Sequence, residues 1–184
     1  MITVLLIGSE EEVDISNVLI DAIKAINAST LHLTAKSISV QPHNTNQIDF
    51  LIVDNMNISN IDTDRGIAVF KQNIPGIDNS YKIPSNFIAV TDSENNDAVS
   101  ILLKNGMQTV TCGLSQKDSI TFSSRDDEDA VVSLQREIKT LNGNAVFPHE
   151  IPIKLESVKG EYPVLAAIAV LLIAGNLIEH EITI

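Results

Sequence analysis

Acidic side chains follow three apolar runs of the sequence, close to where each run ends. Three glutamates at positions 10–12 follow the first run, Asp54 follows the run at 50–53, and Asp92 lies just beyond the run at 87–90. The carboxyl ends of parallel strands meet at one edge of an open α/β sheet, where such sheets bind ligands. Carboxylates gathered there could hold a divalent metal or a cationic substrate. The plainer interpretation is that they are turn residues and acids favoured by the dipole of a helix N-terminus.

The elements that would position these groups can be read from the spacing of apolar residues. Residues 2–7 are continuously apolar and end at Gly8, as expected for a strand buried on both faces of a parallel sheet. A helix is predicted next, because apolar residues between positions 18 and 26 recur at helical spacing. The three glutamates therefore lie in a loop that joins a strand to a helix.

Strand and helix signals alternate along much of the remaining sequence. The segment 130–139 also fits a helical stripe, but Asn142 and Gly143 form a strong hairpin signal, so we predict a strand there. Helices are predicted at 95–104 and from Pro163 onward. Strands are predicted at 31–40, where one or two could form, and at 50–53, 67–70, 87–90, 109–112, 119–123, 130–139 and 145–155.

These elements predict an α/β fold of three layers, Rossmann-like and of the P-loop NTPase type. The strand–helix–strand unit at 87–112 favours a mostly parallel sheet, and the hairpin adds an antiparallel portion. The polar stretch at 55–85 gives only weak strand signals, around 67–70. Since no linker divides residues 1–184, we expect a single domain.

The amino-acid composition of the chain excludes several classes of binding partner. The formal net charge is −12 and the pI is about 4.5, which argues against binding to nucleic acid or to an anionic membrane surface. The longest apolar segment, at 164–174, has eleven residues and falls short of the roughly 20 that span a bilayer. The first residues are too short and too poor in basic side chains for a signal peptide, so we expect a cytoplasmic protein.

Three passages, taken together, resemble the central ATP-binding domain of Mur ligases and of the related folylpolyglutamate synthases. Around positions 8–13, the family has a phosphate loop of the type Gly-Thr-Asn-Gly-Lys-Thr between its first strand and helix. The segments 87–95 and 110–115 are similar to a family strand ending in Asn-x-Asp-Asp-Pro, a helix, and a strand ending in a glycine turn. The segment 158–169 is similar to the family's Gly-x-His-Asn-x-x-Asn-x-x-Ala-Ala-Ile-Ala. The resemblance covers most of the chain, and the family's two flanking domains have no counterpart in it.

The resemblance implies that the phosphate loop has lost its chemistry. Such a loop closes backbone N–H groups around phosphate oxygens, adds a lysine that neutralises them, and adds a hydroxyl that holds Mg²⁺. By the resemblance, Glu11 stands for the second glycine, Glu12 for the lysine and Val13 for the hydroxyl residue. Carboxylates beside phosphates repel them by a few kcal/mol each. The positions of this degenerate loop are Gly8, Ser9, Glu10, Glu11, Glu12 and Val13.

The third passage implies the same loss. Glu161 and Tyr162 stand where the family has His-Asn, and Leu165 stands where it has a later asparagine that helps to hold the nucleotide. We therefore predict no bound ATP, no other cofactor and no catalytic residue. The four histidines, at positions 32, 43, 149 and 180, are scattered and are interpreted as surface or satisfied side chains, and Cys112 as a core residue.

Two functions from different classes follow. The first is a non-catalytic Mur-ligase-like domain that acts by interaction with another protein or with itself, because the apolar C-terminal helix would need a cover if one of its faces were exposed. The second is an enzyme or binding protein that kept the crevice and uses Asp54, Asp92 and the glutamates at 10–12 for a metal or a cationic ligand. A role as a regulator or subunit in cell-wall precursor synthesis rests on the family analogy alone.

Overall fold

The computed structural model describes residues 1–42, 47–54, 62–75, 83–157, 159–176, 178 and 180–184. Much of the polar stretch at 55–85, together with His43 and Val158, lies outside the described residues. The helices are α1 (Asp14–Ala25), α2 (Asn96–Asn105) and α3 (Glu161–Ala174). The strands are β1 (Ile2–Ile7), β2 (Thr30–Thr34), β3 (Ile38–Gln41), β4 (Phe50–Asp54), β5 (Gly66–Phe70), β6 (Ile88–Asp92), β7 (Thr109–Cys112), β8 (Ile120–Arg125), β9 (Asp129–Leu134), β10 (Ile138–Lys139), β11 (Ala145–Val146), β12 (His149–Lys154) and β13 (Ile182–Thr183).

A mostly parallel sheet runs through the described part of the chain. Its strand order is β13-β12-β9-β8-β7-β6-β5-β1-β4-β2-β3. Strand β1 lies between β4 and β5 and is parallel to both. Residues 3–7 of β1 are all buried, which explains why that strand is continuously apolar rather than alternating. The predicted α/β fold with a mostly parallel sheet is confirmed.

Helices cover both faces of this sheet, as the predicted three layers require. Helices α1 and α3 pack together on one face, and α2 packs on the other face against β6. Residues 162–173 of α3 are all buried by the chain itself, so the condition under which this helix would need a partner, an exposed apolar face, is not met. Among the described residues, no helix is long and apolar enough to cross a membrane.

The antiparallel parts of the sheet lie towards its two ends. Strand β9 pairs antiparallel with β8 and β12, whereas β10 and β11 form a separate two-stranded hairpin around the turn that contains Asn142 and Gly143. The prediction of strands rather than a helix at 130–139 is therefore confirmed. The segment 31–40 forms two antiparallel strands, β2 and β3, and β3 is the last strand of the sheet on that side.

Candidate functional site

The loop between β1 and α1, residues 8–13, lies against the segment 71–73 that follows β5. Gly8 has a φ of 147°, which side chains other than glycine rarely tolerate. A Cβ on Gly8 would come within 2.8 Å of the Asn73 carbonyl oxygen. The Ser9 N–H donates to the same carbonyl at 2.8 Å. A glycine is therefore required here, because two chain segments touch at the carboxyl edge of the sheet.

Backbone N–H groups of this loop donate to acceptors within the chain. Besides the bond from Ser9 to Asn73, the Glu11 N–H donates to Ser9 Oγ at 3.3 Å and the Glu12 N–H donates to the Ser9 carbonyl at 3.2 Å. A phosphate loop works because its N–H groups converge on an anion instead. The N–H groups of Ser9, Glu11 and Glu12 are therefore directed at internal acceptors.

The carboxylate of Glu12 binds two successive backbone N–H groups. Its Oε1 accepts from the Gln72 N–H at 3.0 Å, and its Oε2 accepts from the Asn73 N–H at 2.9 Å. Hydrogen bonds to an ionised acceptor are roughly twice as strong as neutral ones. Successive N–H groups of this kind form an anion-binding concavity. In this chain the anion bound there is the protein's own side chain.

Lys71 directly follows β5 and is fully buried, which is rare for a lysine. Its Nζ lies 2.7 Å from Asp54 Oδ1 and donates to the Ser9 carbonyl at 2.8 Å. Asp54, at the end of β4, is 4% exposed. The ammonium therefore neutralises a buried carboxylate and ties the ends of β4 and β5 to the loop. Sequence reasoning missed Lys71, although it follows a predicted strand end just as Asp54 does.

A crevice of about 400 Å³ opens at the carboxyl ends of β5, β6 and β7, and we call it the acidic crevice. No lysine or arginine is among its described lining residues. Asp92 accepts from the Glu94 N–H at 2.9 Å and lies 3.5 Å from the side-chain amide of Gln72. The crevice thus gathers carboxylates at the N-termini of α1 and α3. Its lining includes Asp14, Gln72, Asp92, Glu94, Glu161 and Tyr162.

The two aspartates that the sequence singled out for metal binding lie apart. Asp54 ends β4 and Asp92 ends β6, and β1 and β5 lie between those strands. Three strand spacings separate them by about 14 Å, which exceeds what two aspartates on one ion can span with metal–oxygen bonds of about 2.0–2.6 Å. Within the described residues, no group of three or more His, Cys, Asp or Glu side chains could hold a metal ion.

Tyr162, in the first turn of α3, is buried and connects that helix to the sheet. Its hydroxyl donates to the Phe70 carbonyl at the end of β5, and the Val90 carbonyl of β6 lies 3.5 Å away. Burial raises the pKa of Tyr162 well above 10, and the neighbouring Cys112, Asp92 and Glu12 raise it further. The phenol is therefore neutral and acts as a hydrogen-bond donor that fixes the start of α3 over the crevice.

Comparison with solved structures identifies proteins that have a similar fold. No protein-family model and no curated protein sequence matches the chain. A UDP-N-acetylmuramate:L-alanyl-gamma-D-glutamyl-meso-diaminopimelate ligase from Neisseria meningitides matches 95% of this chain and 61% of its own, at 11% identity and a TM-score of 0.57. A UDP-N-acetylmuramoylalanyl-D-glutamyl-2,6-diaminopimelate–D-alanyl-D-alanyl ligase from Acinetobacter baumannii matches 95% and 43%, at 11% identity and a TM-score of 0.55.

A further solved structure has the same architecture. E. coli FolC, solved with DHPP and ADP, matches 97% of this chain and 54% of its own, at 12% identity and a TM-score of 0.58. The chain thus spans about half the length of these enzymes. Its fold is that shared by Mur ligases and FolC, which confirms the resemblance drawn from the three passages. At these identities the likeness establishes the fold alone.

Proposed function

We propose that this chain is a Mur-ligase-like domain that does not carry out ATP-dependent ligation and that acts by binding another protein or a second copy of itself. The observation that carries the proposal is the carboxylate of Glu12, which accepts from the N–H groups of Gln72 and Asn73. An anion-binding position beside the loop is thereby occupied by a fixed negative charge, and a phosphate approaching it would be repelled by a few kcal/mol.

Two further features support the loss of nucleotide binding. Lys71, the buried lysine beside the loop, has its ammonium between Asp54 and the Ser9 carbonyl, so its charge is already compensated. Tyr162 anchors the start of α3 through its hydroxyl, at a position where the family motif has the asparagine of its His-Asn pair. In both cases a contact within the chain holds the polar group that could otherwise meet a nucleotide.

Support for an interaction role comes from the sheet edge. Strand β3 is exposed at every position, and Ile38 and Val40 are 69% and 53% exposed on the same face. An edge strand with apolar side chains and unpaired backbone groups is a surface that other strands can join. The solved structures that share this fold are enzymes about twice as long as this chain. In them, a domain of this fold is joined to other parts of the same polypeptide. Since two of these enzymes are ligases of UDP-N-acetylmuramate derivatives, we propose that the protein takes part in cell-wall precursor metabolism.

Thermal unfolding in the presence of ATP and Mg²⁺ tests the lost activity. A ligand at one hundred times its Kd stabilises a protein by about 2.7 kcal/mol. For a domain of this size that corresponds to a rise in Tm of roughly 5–11 °C. We expect no rise with millimolar ATP and Mg²⁺, and a rise of that size would refute the loss of nucleotide binding. UDP-sugars are tested in the same way, because the similar ligases are named for UDP-linked sugar substrates.

Light scattering coupled to gel filtration, over a range of concentrations, tests self-association. We expect either a dimer that Ile38→Lys disrupts, or a monomer that recovers one stoichiometric partner from native extract. Leu103→Lys is the matched control, because Leu103 is 78% exposed on α2, away from β3. A monomer at every concentration that recovers no partner would contradict the interaction role.

A second candidate function is favoured by the acidic crevice. Carboxylates of Asp14, Asp92, Glu94 and Glu161 line a single space of about 400 Å³, which suits a cationic ligand or a hydrated divalent metal. Calorimetry with Mg²⁺ and Mn²⁺ separates the two candidates. Binding that Asp92→Asn weakens would favour a ligand-binding protein over an interaction domain.

A further inference from the structure

Strand β3 ends the sheet, and among the described residues no strand pairs with its outer side. The Thr34 N–H donates to the Ser37 carbonyl at 2.9 Å, so these residues form a hydrogen-bonded pair of the β2–β3 hairpin. Hydrogen-bonded and non-hydrogen-bonded pairs alternate along an antiparallel ladder, so Ser39 also bonds to β2. The backbone N–H and C=O groups of Ile38 and Val40 therefore point outwards, away from β2.

The side chains of these two residues form an apolar surface on one face of the sheet. Ile38 is 69% exposed and lies opposite Leu33 of β2. Val40 is 53% exposed and lies opposite Leu31. Directly opposite residues share a face of the sheet, and Leu33 packs against the apolar cluster between the sheet and α2. Strand β3 thus extends a row of apolar side chains to the very edge of the sheet.

The charge of this edge differs from that of the whole chain. Residues 37–42 include no charged side chain, whereas the net charge of the chain is −12. Two copies that meet at acidic surfaces repel each other, and an uncharged edge avoids that repulsion. Pro42, directly after β3, has no N–H to donate, so pairing along this edge is limited to the strand itself. Such an edge suits one short partner strand.

Strand β3 is complementary to itself in the antiparallel direction. When Ile38 of one copy lies opposite Val40 of a second copy, the outward N–H and C=O groups of both residues meet, and each residue donates and accepts one hydrogen bond. A two-fold axis then passes beside Ser39, and each isoleucine contacts the valine of the other copy. The two Lys36 side chains lie at opposite ends of the paired strands, so they do not oppose the pairing.

We propose that β3 pairs with β3 of a second copy of this chain, antiparallel and with Ile38 opposite Val40, so that the two sheets join across a two-fold axis beside Ser39. This pairing names the partner for the interaction role and therefore rests on the proposed function. The strand has 4 residues. So short an edge buries less than the roughly 1,200 Å² of a standard interface, and we expect a weak dimer that forms as the concentration rises.

Substitutions at position 40 test the hydrogen bonds of the pairing. Val40→Pro removes an N–H that points away from β2, which an edge strand tolerates, so the monomer should still fold. It should weaken self-association by about tenfold or more, measured by light scattering coupled to gel filtration over a range of concentrations. Val40→Thr is the matched control, because it keeps the N–H and the β-branched shape, and it should dimerise nearly as well as the wild type. Circular dichroism checks that each variant is folded.

Cysteine cross-linking tests the register and detects a dimer that is too weak to isolate. Opposite residues of a non-hydrogen-bonded pair have Cα atoms about 4.5 Å apart, within the range of a disulfide. Ser39→Cys should therefore give a disulfide-linked dimer under mild oxidation. Gln41→Cys is the matched control, because Gln41 is also exposed but the two copies of it would lie about 14 Å apart in this register. The native Cys112 is fully buried.

Several results would overturn the pairing. They are a chain that stays monomeric and in which Ser39→Cys does not cross-link, a dimer that Val40→Pro leaves intact, and cross-linking by Gln41→Cys as fast as by Ser39→Cys. If Val40→Pro does not fold, the two cysteine variants decide. A monomer that recovers a different protein from native extract would refute the second copy as partner and leave the interaction role standing. Stabilisation by ATP would refute the lost activity and leave the pairing standing.

Discussion

Replacing Lys71 by methionine tests whether the buried ion pair holds the loop in place. Lys71 is 0% exposed and Asp54 is 4% exposed, so the variant leaves a carboxylate almost wholly buried without its counter-charge. Breaking a buried pair from one side costs about 3–5 kcal/mol. Because a domain of this size loses ~2–4 °C of Tm per kcal/mol, we expect Lys71→Met to lower the Tm by ~6–20 °C.

The assay is urea and thermal unfolding followed by circular dichroism at neutral pH. Lys159→Met is the matched control, since Lys159 pairs with Asp21, whose side chain is 46% exposed. A partly solvated pair of that kind is worth about 0–1 kcal/mol. The double variant Lys71→Met with Asp54→Leu should recover most of the lost stability, because it removes both charges together.

The reasoning would be refuted if Lys71→Met cost no more than Lys159→Met, since the Asp54 carboxylate would then not depend on the ammonium. It would also be refuted if the double variant were less stable than Lys71→Met alone. If Lys71→Met does not fold and the double variant does, the coupling between the two side chains is still established.

Three further substitutions test neighbouring contacts. Glu12→Gln should lower the free energy of unfolding by about 1 kcal/mol, because an amide offers one acceptor to two N–H groups, and equal loss in exposed Glu11→Gln would contradict this. Tyr162→Phe should cost about 1 kcal/mol below pH 10. Because the pKa of Tyr162 is raised in the folded state, its contribution is lost as pH rises above 10, so the wild type should lose stability there more steeply than the variant. Identical pH curves would refute that role. Because the pKa of His32 is lowered, wild-type stability should fall as pH drops through 6.5; His32→Gln should flatten this fall, and His180→Gln, at an exposed position, should not.

The fold could be predicted from sequence because its signals are local. A continuous apolar run such as residues 2–7 indicates a strand covered on both faces, and Asn142 with Gly143 indicates a hairpin. Helix α2 begins at the predicted position because Asn95 caps it, its side chain accepting from the Ala98 N–H, and it ends at Gly106 in the left-handed conformation. Each of these signals involves residues that are neighbours in the chain.

The site was less predictable because it depends on strand order. Asp54 and Asp92 are both at the carboxyl edge, as expected, but the sequence does not reveal that β1 and β5 lie between their strands. The pairing of Lys71 with Asp54 likewise joins strands that are not neighbours in the sheet. The continuous apolar run at 164–174 indicates a buried helix, as α3 is, but the sequence does not reveal that α1, which is far away in the sequence, covers it. Helical periodicity could not reveal it, because α3 is apolar on every side.

The contacts around residues 71–73 bear on the proposal that this domain does not bind ATP. Glu12 accepts from Gln72 and Asn73, Lys71 compensates Asp54, and the side-chain amide of Asn95 donates to the Lys71 and Gln72 carbonyls. A lysine placed at position 12 would restore the family's charge but would also leave two N–H groups without their carboxylate. Because these contacts share one short segment, a single substitution in the loop would disturb the segment rather than rebuild a phosphate site.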